Sequence, residues 1–232
     1  MTITKKLKLQ IKLIIRFYKD FISRNQFNFA TKQKNEICYN SAISISQEIK
    51  PSDNFENKIF NLSLASKKIS EYCIMPDEIF SFWKIIGNPN YEFKKGRTIQ
   101  NGQIKEEVGG GICQVSGIVY NVSLIAGLQI LERYNHSVDI YTEETRFAPL
   151  GLDATVVFGY KDLRIRNNFT FPIKFKIEVV ENQIKVDLLS TQKIEEIKLF
   201  FETEFNDEYI IVKVLNENKE LMNSSKYKQN IT

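Results

Sequence analysis

The stretch Gly109-Gly110-Gly111-Ile112-Cys113-Gln114-Val115-Ser116 constrains this chain more than any other. Three glycines run into a cysteine, and behind the cysteine Val115, Val119, Val122 and Ala126 recur at helical spacing, with Ile118 and Ile125 beside them. The spacing predicts an amphipathic helix opened by Cys113 and stopped by Gly127. A cysteine at a helix N-terminus sits among unpaired backbone N–H groups at the positive end of the dipole, a setting that favours the nucleophilic thiolate. Glycines tolerate positive φ and leave the approach to the sulfur uncrowded, so Gly110 and Gly111 are expected to border a substrate. No Lys-Ser/Thr pair follows them, which argues against a phosphate loop. The Cys113 N–H is the expected oxyanion donor. Gln114 and Ser116 are expected either to touch a substrate or to cap the first turn.

His136 is the sole histidine, 23 residues beyond Cys113, and Asp153 follows at the head of an apolar run that reads as a strand. Cysteine at a helix start, then histidine, then acid is a workable order for a nucleophile, its base and the group that orients the base. Asp162 and Asn135 are reserve orienters. Bland readings stand beside these: a buried core cysteine, a structural histidine and a turn aspartate bonding its own backbone.

With 232 residues, 43% hydrophobic and 26% charged, the chain supports one substantial core or two small domains. A net charge of +4 implies no nucleic-acid partner. The charge is uneven, however. Residues 1–36 hold nine Lys/Arg against two acids, and the remaining residues 23 Lys/Arg against 26 acids. Cys38, Cys73 and Cys113 are odd in number and show no paired spacing, so free thiols are favoured over a Cys38–Cys73 disulfide. One histidine and three scattered cysteines give no ligand spacing; neither a metal nor a cofactor is expected.

In chain order, residues 1–36 read as a basic N-terminal arm. Within it, Leu7, Ile11, Ile14, Ile15, Tyr18, Phe21 and Ile22 alternate at helical intervals with Lys8, Lys12, Arg16 and Lys19. The run is too interrupted for a membrane span and has no signal-peptide cleavage pattern. A cytoplasmic chain, or one peripheral to the inner membrane face, is therefore expected. Two readings of the helix are open: it lies on an anionic membrane surface through residues 7–22, or it packs its apolar side on its own domain. Residues 37–215 read as a single α+β domain. A short strand covers Ala42 to Ile45 and an amphipathic helix 57–72, with Lys58, Lys67 and Lys68 outward. Ile79 to Trp83 reads as a strand, its aromatics in the core, and residues 84–108 as loop and hairpin. After the Cys113 helix come strands at Leu128–Arg133, Val138–Thr142, Ala154–Tyr160, Leu163–Asn167, Pro172–Val180, Gln183–Leu189, Lys193–Glu202 and Glu208–Leu215. Residues 216–232 read as a frayed polar tail. Helices followed by a run of antiparallel strands argue α+β.

The glycine–cysteine string, with Tyr120-Asn121, Ala126-Gly127-Leu128, Glu132-Arg133-Tyr134-Asn135-His136-Ser137 and Asp153-Ala154-Thr155-Val156, closely resembles the VanW family. Phe80-Ser81-Phe82 with Gly87, Asp162 to Asn168, and Pro172-Ile173 extend the likeness over about Ile74 to Ile177. Two departures are visible: Ser116-Gly117 stands where the family usually has Ser-Thr, and the stretch between His136 and Asp153 is a few residues longer. The family is named for an accessory protein encoded with vancomycin-resistance genes in Gram-positive bacteria, which implies a cell-wall role. By order and spacing the chain is also similar to transglutaminase-like cysteine enzymes. That likeness implies Cys113 as nucleophile, His136 as base and Asp153 as orienter, within a transglutaminase-like core.

Two functions are thus expected. One is a Cys-His-Asp thiol enzyme cleaving or transferring amide bonds of peptidoglycan-type peptides. The other is a non-catalytic module binding a cell-wall peptide or glycan. Substrate, oligomeric state and compartment stay open.

Overall fold

The computed structural model describes residues 3–33, 37–100, 103–139, 146 and 148–229. The helices are α1 (Ile3–Ile22), α2 (Phe55–Ser70), α3 (Phe82–Ile86) and α4 (Cys113–Ile125). The strands are β1 (Thr31–Lys32), β2 (Ser41–Glu48), β3 (Tyr72–Cys73), β4 (Ile79–Ser81), β5 (Lys95–Gln100), β6 (Gln103–Val108) and β7 (Gln129–Glu132), then β8 (Val138–Asp139), β9 (Arg164–Arg166), β10 (Ile173–Val180), β11 (Gln183–Ser190), β12 (Phe200–Phe205), β13 (Tyr209–Leu215) and β14 (Leu221–Gln229). The architecture is mixed α+β.

The central layer is an antiparallel sheet in the order β10-β11-β2. Glu181-Asn182 makes its hairpin turn, with Val180 opposite Gln183 and Glu181 at positive φ. Strands β2 and β10 alternate buried and exposed residues, as a sheet with one wet face requires. Helices α2 and α4 lie against its dry face. The amphipathic helix expected after Cys113 is corrected here: α4 is buried nearly all round. Val115, Ile118, Val119 and Val122 are fully enclosed, as are Ser116 and Ser123. Gly127, at φ +71°, ends the helix: its N–H reaches the Leu124 carbonyl and the Leu128 N–H the Ser123 carbonyl.

A second sheet, β4-β9-β7, carries the chain on either side of the candidate site. The strand expected over Ile79–Trp83 stops at Ser81. The Ser81 hydroxyl accepts the Lys84 N–H and starts α3, and Phe80, Phe82 and Trp83 join the core. A third sheet, β12-β13-β14-β8, has β8 parallel to β14 and brings Ser225 and Tyr227 of β14 to Arg133 and Asp153.

Three further expectations need correction, and a fourth is met as far as the described residues reach. The polar tail from residue 216 is a nine-residue strand, β14, paired along β13. Ala154–Tyr160 is not a strand. The Ala154 carbonyl accepts from Ser116, the Thr155 N–H bonds Tyr134, and Gly159 turns the chain at positive φ, so no ladder forms. The strand expected from Lys193 begins only at Phe200. Of Val138–Thr142, β8 covers two residues and the rest lies outside the described residues.

The N-terminal helix does not pack its apolar side on the body. It docks through Leu9, Leu13, Arg16 and Asp20, at spacings of four, three and four residues. Asp20 grips both terminal nitrogens of Arg164 at 2.5 and 2.9 Å, and Arg164 also donates to Asp162 at 3.1 Å. Arg16 donates to Glu132 at 2.5 Å. Asp20, Asp162 and Arg164 are all buried, so each ion depends on the others for solvation.

Candidate active site

Cys113 opens α4 straight from the glycine turn. The Ile112 N–H closes onto Gly109, Gln114 onto Gly111, and Val115 and Ser116 onto Ile112. The Cys113 N–H has no acceptor among the described residues, which leaves it directed out of the first turn. Cys113 is partly exposed. Its sulfur lies 3.7 Å from the Thr155 hydroxyl and 3.9 Å from the Val156 carbonyl oxygen.

The loop after Gly151 brings Asp153 under His136. Its Oδ2 sits 2.6 Å from His136 Nδ1 and accepts the His136 backbone N–H at 2.7 Å. Its Oδ1 accepts from Arg133 Nη2 at 3.0 Å and from the Tyr227 hydroxyl at 2.5 Å. Four donors converge on one carboxylate, two per oxygen. Burial favours the neutral acid, but the His136 hydrogen bond and charge, Arg133 and Tyr227 outweigh it and hold Asp153 at about 2.

With Nδ1 committed to Asp153, Nε2 is the ring nitrogen left for another partner. Burial lowers the His136 pKa, yet hydrogen bonds to Asp153 and to Cys113 raise it to about 10. The thiol moves the other way. Burial alone would push it up, but hydrogen bonding and charge from His136, helped by the Thr155 hydroxyl, bring it below the ordinary cysteine value. The two groups thus shift in opposite directions, the thiol downward and the imidazole upward, with a carboxylate behind the ring. A cleft lined by His136, Asp153, Tyr227, Val138, Ala148, Pro149 and Leu150 opens beside the His–Asp pair; Cys113 is not in its wall.

The other expected site residues have different duties. Gln114 donates its side-chain N–H to the Glu48 carbonyl at 2.8 Å, tying α4 to β2. Ser116 donates to the Ala154 carbonyl at 2.6 Å and fixes the loop that carries Asp153 and Thr155. Both side chains are buried, and of the two duties expected of them Ser116 also makes a first-turn contact, donating to the Cys113 carbonyl at 3.2 Å. Gly110 lies so close to Gly96 that an added Cβ would sit 2.2 Å from the Gly96 carbonyl carbon. Its lack of a side chain lets the β5–β6 hairpin approach. Gly111, at φ +94°, lies against the stem of Lys58, which is half-buried rather than outward. Asp162 is taken by Ser81, Trp83 and Arg164, and the Asn135 amide by the His136 and Lys226 carbonyls. Asp153 alone of the three reaches the ring. Among the described residues no group of three or more His, Cys, Asp or Glu could hold a metal.

Three supporting residues were missed from sequence. Arg133, lying over the Tyr120 ring, donates to the Asp153 carbonyl and carboxylate and to Ser225. It sits inside the Glu132-to-Ser137 string and was findable there. Thr155 was likewise inside a quoted motif. Tyr227 lies in a stretch with no signal beyond a tyrosine among lysines and asparagines.

The vancomycin B-type resistance protein VanW of Enterococcus faecalis (strain ATCC 700802 / V583) is 38% identical over 115 residues, 49% of this chain and 42% of that protein. The uncharacterized protein YoaR of Bacillus subtilis (strain 168) is 36% identical over 141 residues, 60% of this chain and 45% of that protein. The chain thus spans less than half the length of these relatives. No solved structure matches it. The family model described as VanW like protein matches residues 57–189, which include Cys113, His136 and Asp153, and the chain belongs to that family.

Proposed function

We propose that the protein is a thiol enzyme acting on amide bonds of peptidoglycan-type peptides. The observation that carries the reading is the Asp153 carboxylate on His136 Nδ1, beside a Cys113 thiol whose acidity the nearby His136 raises. The Cys113 thiolate attacks a peptide carbonyl carbon and forms a C–S bond. The carbonyl oxygen becomes an oxyanion, with the Cys113 N–H placed to donate to it. The imidazolium of His136 gives its Nε2 proton to the departing amine as the C–N bond breaks, leaving a thioester. Water or a second amine then attacks the thioester, His136 takes the proton, and the thiolate leaves. Asp153 keeps the ring oriented and compensates its charge throughout. The transglutaminase-like likeness supports these roles by analogy of order and spacing. The cell-wall substrate class is supported by kinship with a vancomycin-resistance protein.

The test is the rate of Cys113 alkylation against pH in a Cys38→Ser/Cys73→Ser background, with and without His136→Ala. The parent should react with an apparent pKa well below the ordinary thiol value of about 8.5, and His136→Ala should raise it to that value or above. A Cys113 that stays inert until the protein unfolds refutes the reading and leaves a non-catalytic cell-wall binding module as the account of this fold.

A further inference from the structure

Helix α1 is turned inside out relative to an ordinary surface helix. Its body-facing positions are Leu9, Leu13, Arg16 and Asp20, with Lys12 over the Tyr160 ring. At about 100° per residue, Leu7, Ile11, Ile14, Ile15, Tyr18, Phe21 and Ile22 fall on the opposite side, within an arc of about 120°. All seven are exposed, from 48% for Ile11 to 79% for Ile22. Lys8 and Lys19 flank this face on one side and Lys6 on the other, all exposed. The only acid of the helix, Asp20, points inward to Arg164. Immediately after the helix, Phe27 is exposed at 75% beside the exposed Arg24.

We infer that this face docks on an anionic lipid surface, the helix lying flat with its apolar arc among the acyl chains and its lysines at the headgroups. No helix among the described residues is long and apolar enough to cross a membrane, so the geometry is that of a helix in the interface plane. Charge chooses the occupant. Pairing of two copies through this face brings lysines against lysines with no outward acid to neutralise them. An anionic bilayer supplies that charge along the whole length of about 30 Å. The docked helix is gripped from behind by buried ion pairs, and Arg16 reaches Glu132, the residue before Arg133. The membrane contact is thereby fixed rigidly to the strand that leads to the Asp153 support. The inference stands independently of the amide-bond reading.

The whole chain is sedimented with vesicles of phosphatidylcholine, or of phosphatidylcholine mixed with phosphatidylglycerol. Binding is expected to the mixed vesicles only and to fall with added salt. Ile14→Glu should weaken it about tenfold or more, and Lys8→Gln with Lys19→Gln about fivefold per lysine. Circular dichroism and the Cys113 alkylation rate should stay at parent values in both variants. Absence of binding to the mixed vesicles, or binding that Ile14→Glu leaves unchanged, overturns the inference. So does a parent dimer by light scattering that Ile14→Glu converts to a monomer. Should Ile14→Glu not fold, the lysine pair alone decides: undiminished binding refutes the docking.

Discussion

Replacing Asp153 by asparagine tests the candidate site at its most determined point. The two carboxylate oxygens receive four donors: the His136 ring and backbone N–H on one, Arg133 and Tyr227 on the other. An asparagine offers one oxygen and one NH2. Turned toward His136, the NH2 meets a backbone N–H and forces the ring proton onto Nε2, the wrong tautomer for a base facing a thiol. Turned the other way, it meets a guanidinium that cannot accept. Either way a charge-assisted hydrogen bond worth about 1.5–3 kcal/mol is lost. That is about one to two pKa units taken from His136 and added to the thiol coupled to it. Alkylation of Cys113 near about pH 6 should therefore slow roughly 10- to 100-fold, because thiolate falls about tenfold per unit. At high pH, where the thiol ionises unaided, parent and variant rates should converge. A folded Asp153→Asn protein that alkylates at the parent rate in mild acid would refute the coupling.

The same substitution has a stability signature. Asp153 lies at about 2 in the folded chain, below the ordinary carboxyl value. A depressed carboxylate contributes stability that is present above its unfolded pKa of about 3.9 and is lost as pH falls through the folded value. The gap of nearly two units corresponds to about 2.5 kcal/mol. Urea melts of parent and Asp153→Asn should differ most above about pH 4 and approach each other toward pH 2. A constant difference across that window would contradict the assigned shift.

Tyr227→Phe removes one of the four donors to Asp153 and also the acceptor of the Gly151 N–H, 2.8 Å away. It should cost about 2–3 kcal/mol in a urea melt, yet change low-pH alkylation less than Asp153→Asn does. Gly110→Ala should cost several kcal/mol or prevent folding, since its Cβ would enter the Gly96 backbone. Gly117→Ala meets nothing closer than 3.8 Å and should stabilise α4 by about 0.5–1 kcal/mol, both read by thermal melting. Asp20→Asn takes the bidentate carboxylate from the two terminal nitrogens of buried Arg164 and leaves one of these donors facing an amide NH2. It should cost about 3 kcal/mol, with faster tryptic cleavage within α1.

What the sequence disclosed follows the range of the forces involved. The hairpin of β10 and β11, the start of α4 at Cys113 and its stop at Gly127 are set by local alternation, periodicity and turn chemistry, and each stands within a residue or two of its expected place. Helix α1 was equally legible as a helix, but periodicity reports that an apolar face exists and not which way it points. The direction is set by Arg164 and Asp162, more than 140 residues away. Strand β14 was read as tail because only Ser225 and Tyr227 on it are buried; its polar residues face water and give no apolar alternation. The apolar run after Asp153 was read as a strand because burial by a packed loop and burial by a sheet leave the same composition.

The candidate site divides along the same line. Its reacting groups were visible because their residue types are scarce: a lone histidine and a cysteine behind three glycines invite a chemical reading wherever they fall. The groups that make Asp153 a strong partner are an arginine and a tyrosine, common types whose duty exists only once β14 lies alongside. The Arg133 guanidinium reaches Asp153 and Gly151 on one side and Asn223 and Ser225 on the other, so the carboxylate is clamped between the loop and the last strand. The orientation of His136 is consequently a tertiary property. A chain shortened to the residues of the family match, 57–189, would keep Cys113, His136 and Asp153 and lose Tyr227, half of the donors on Oδ1.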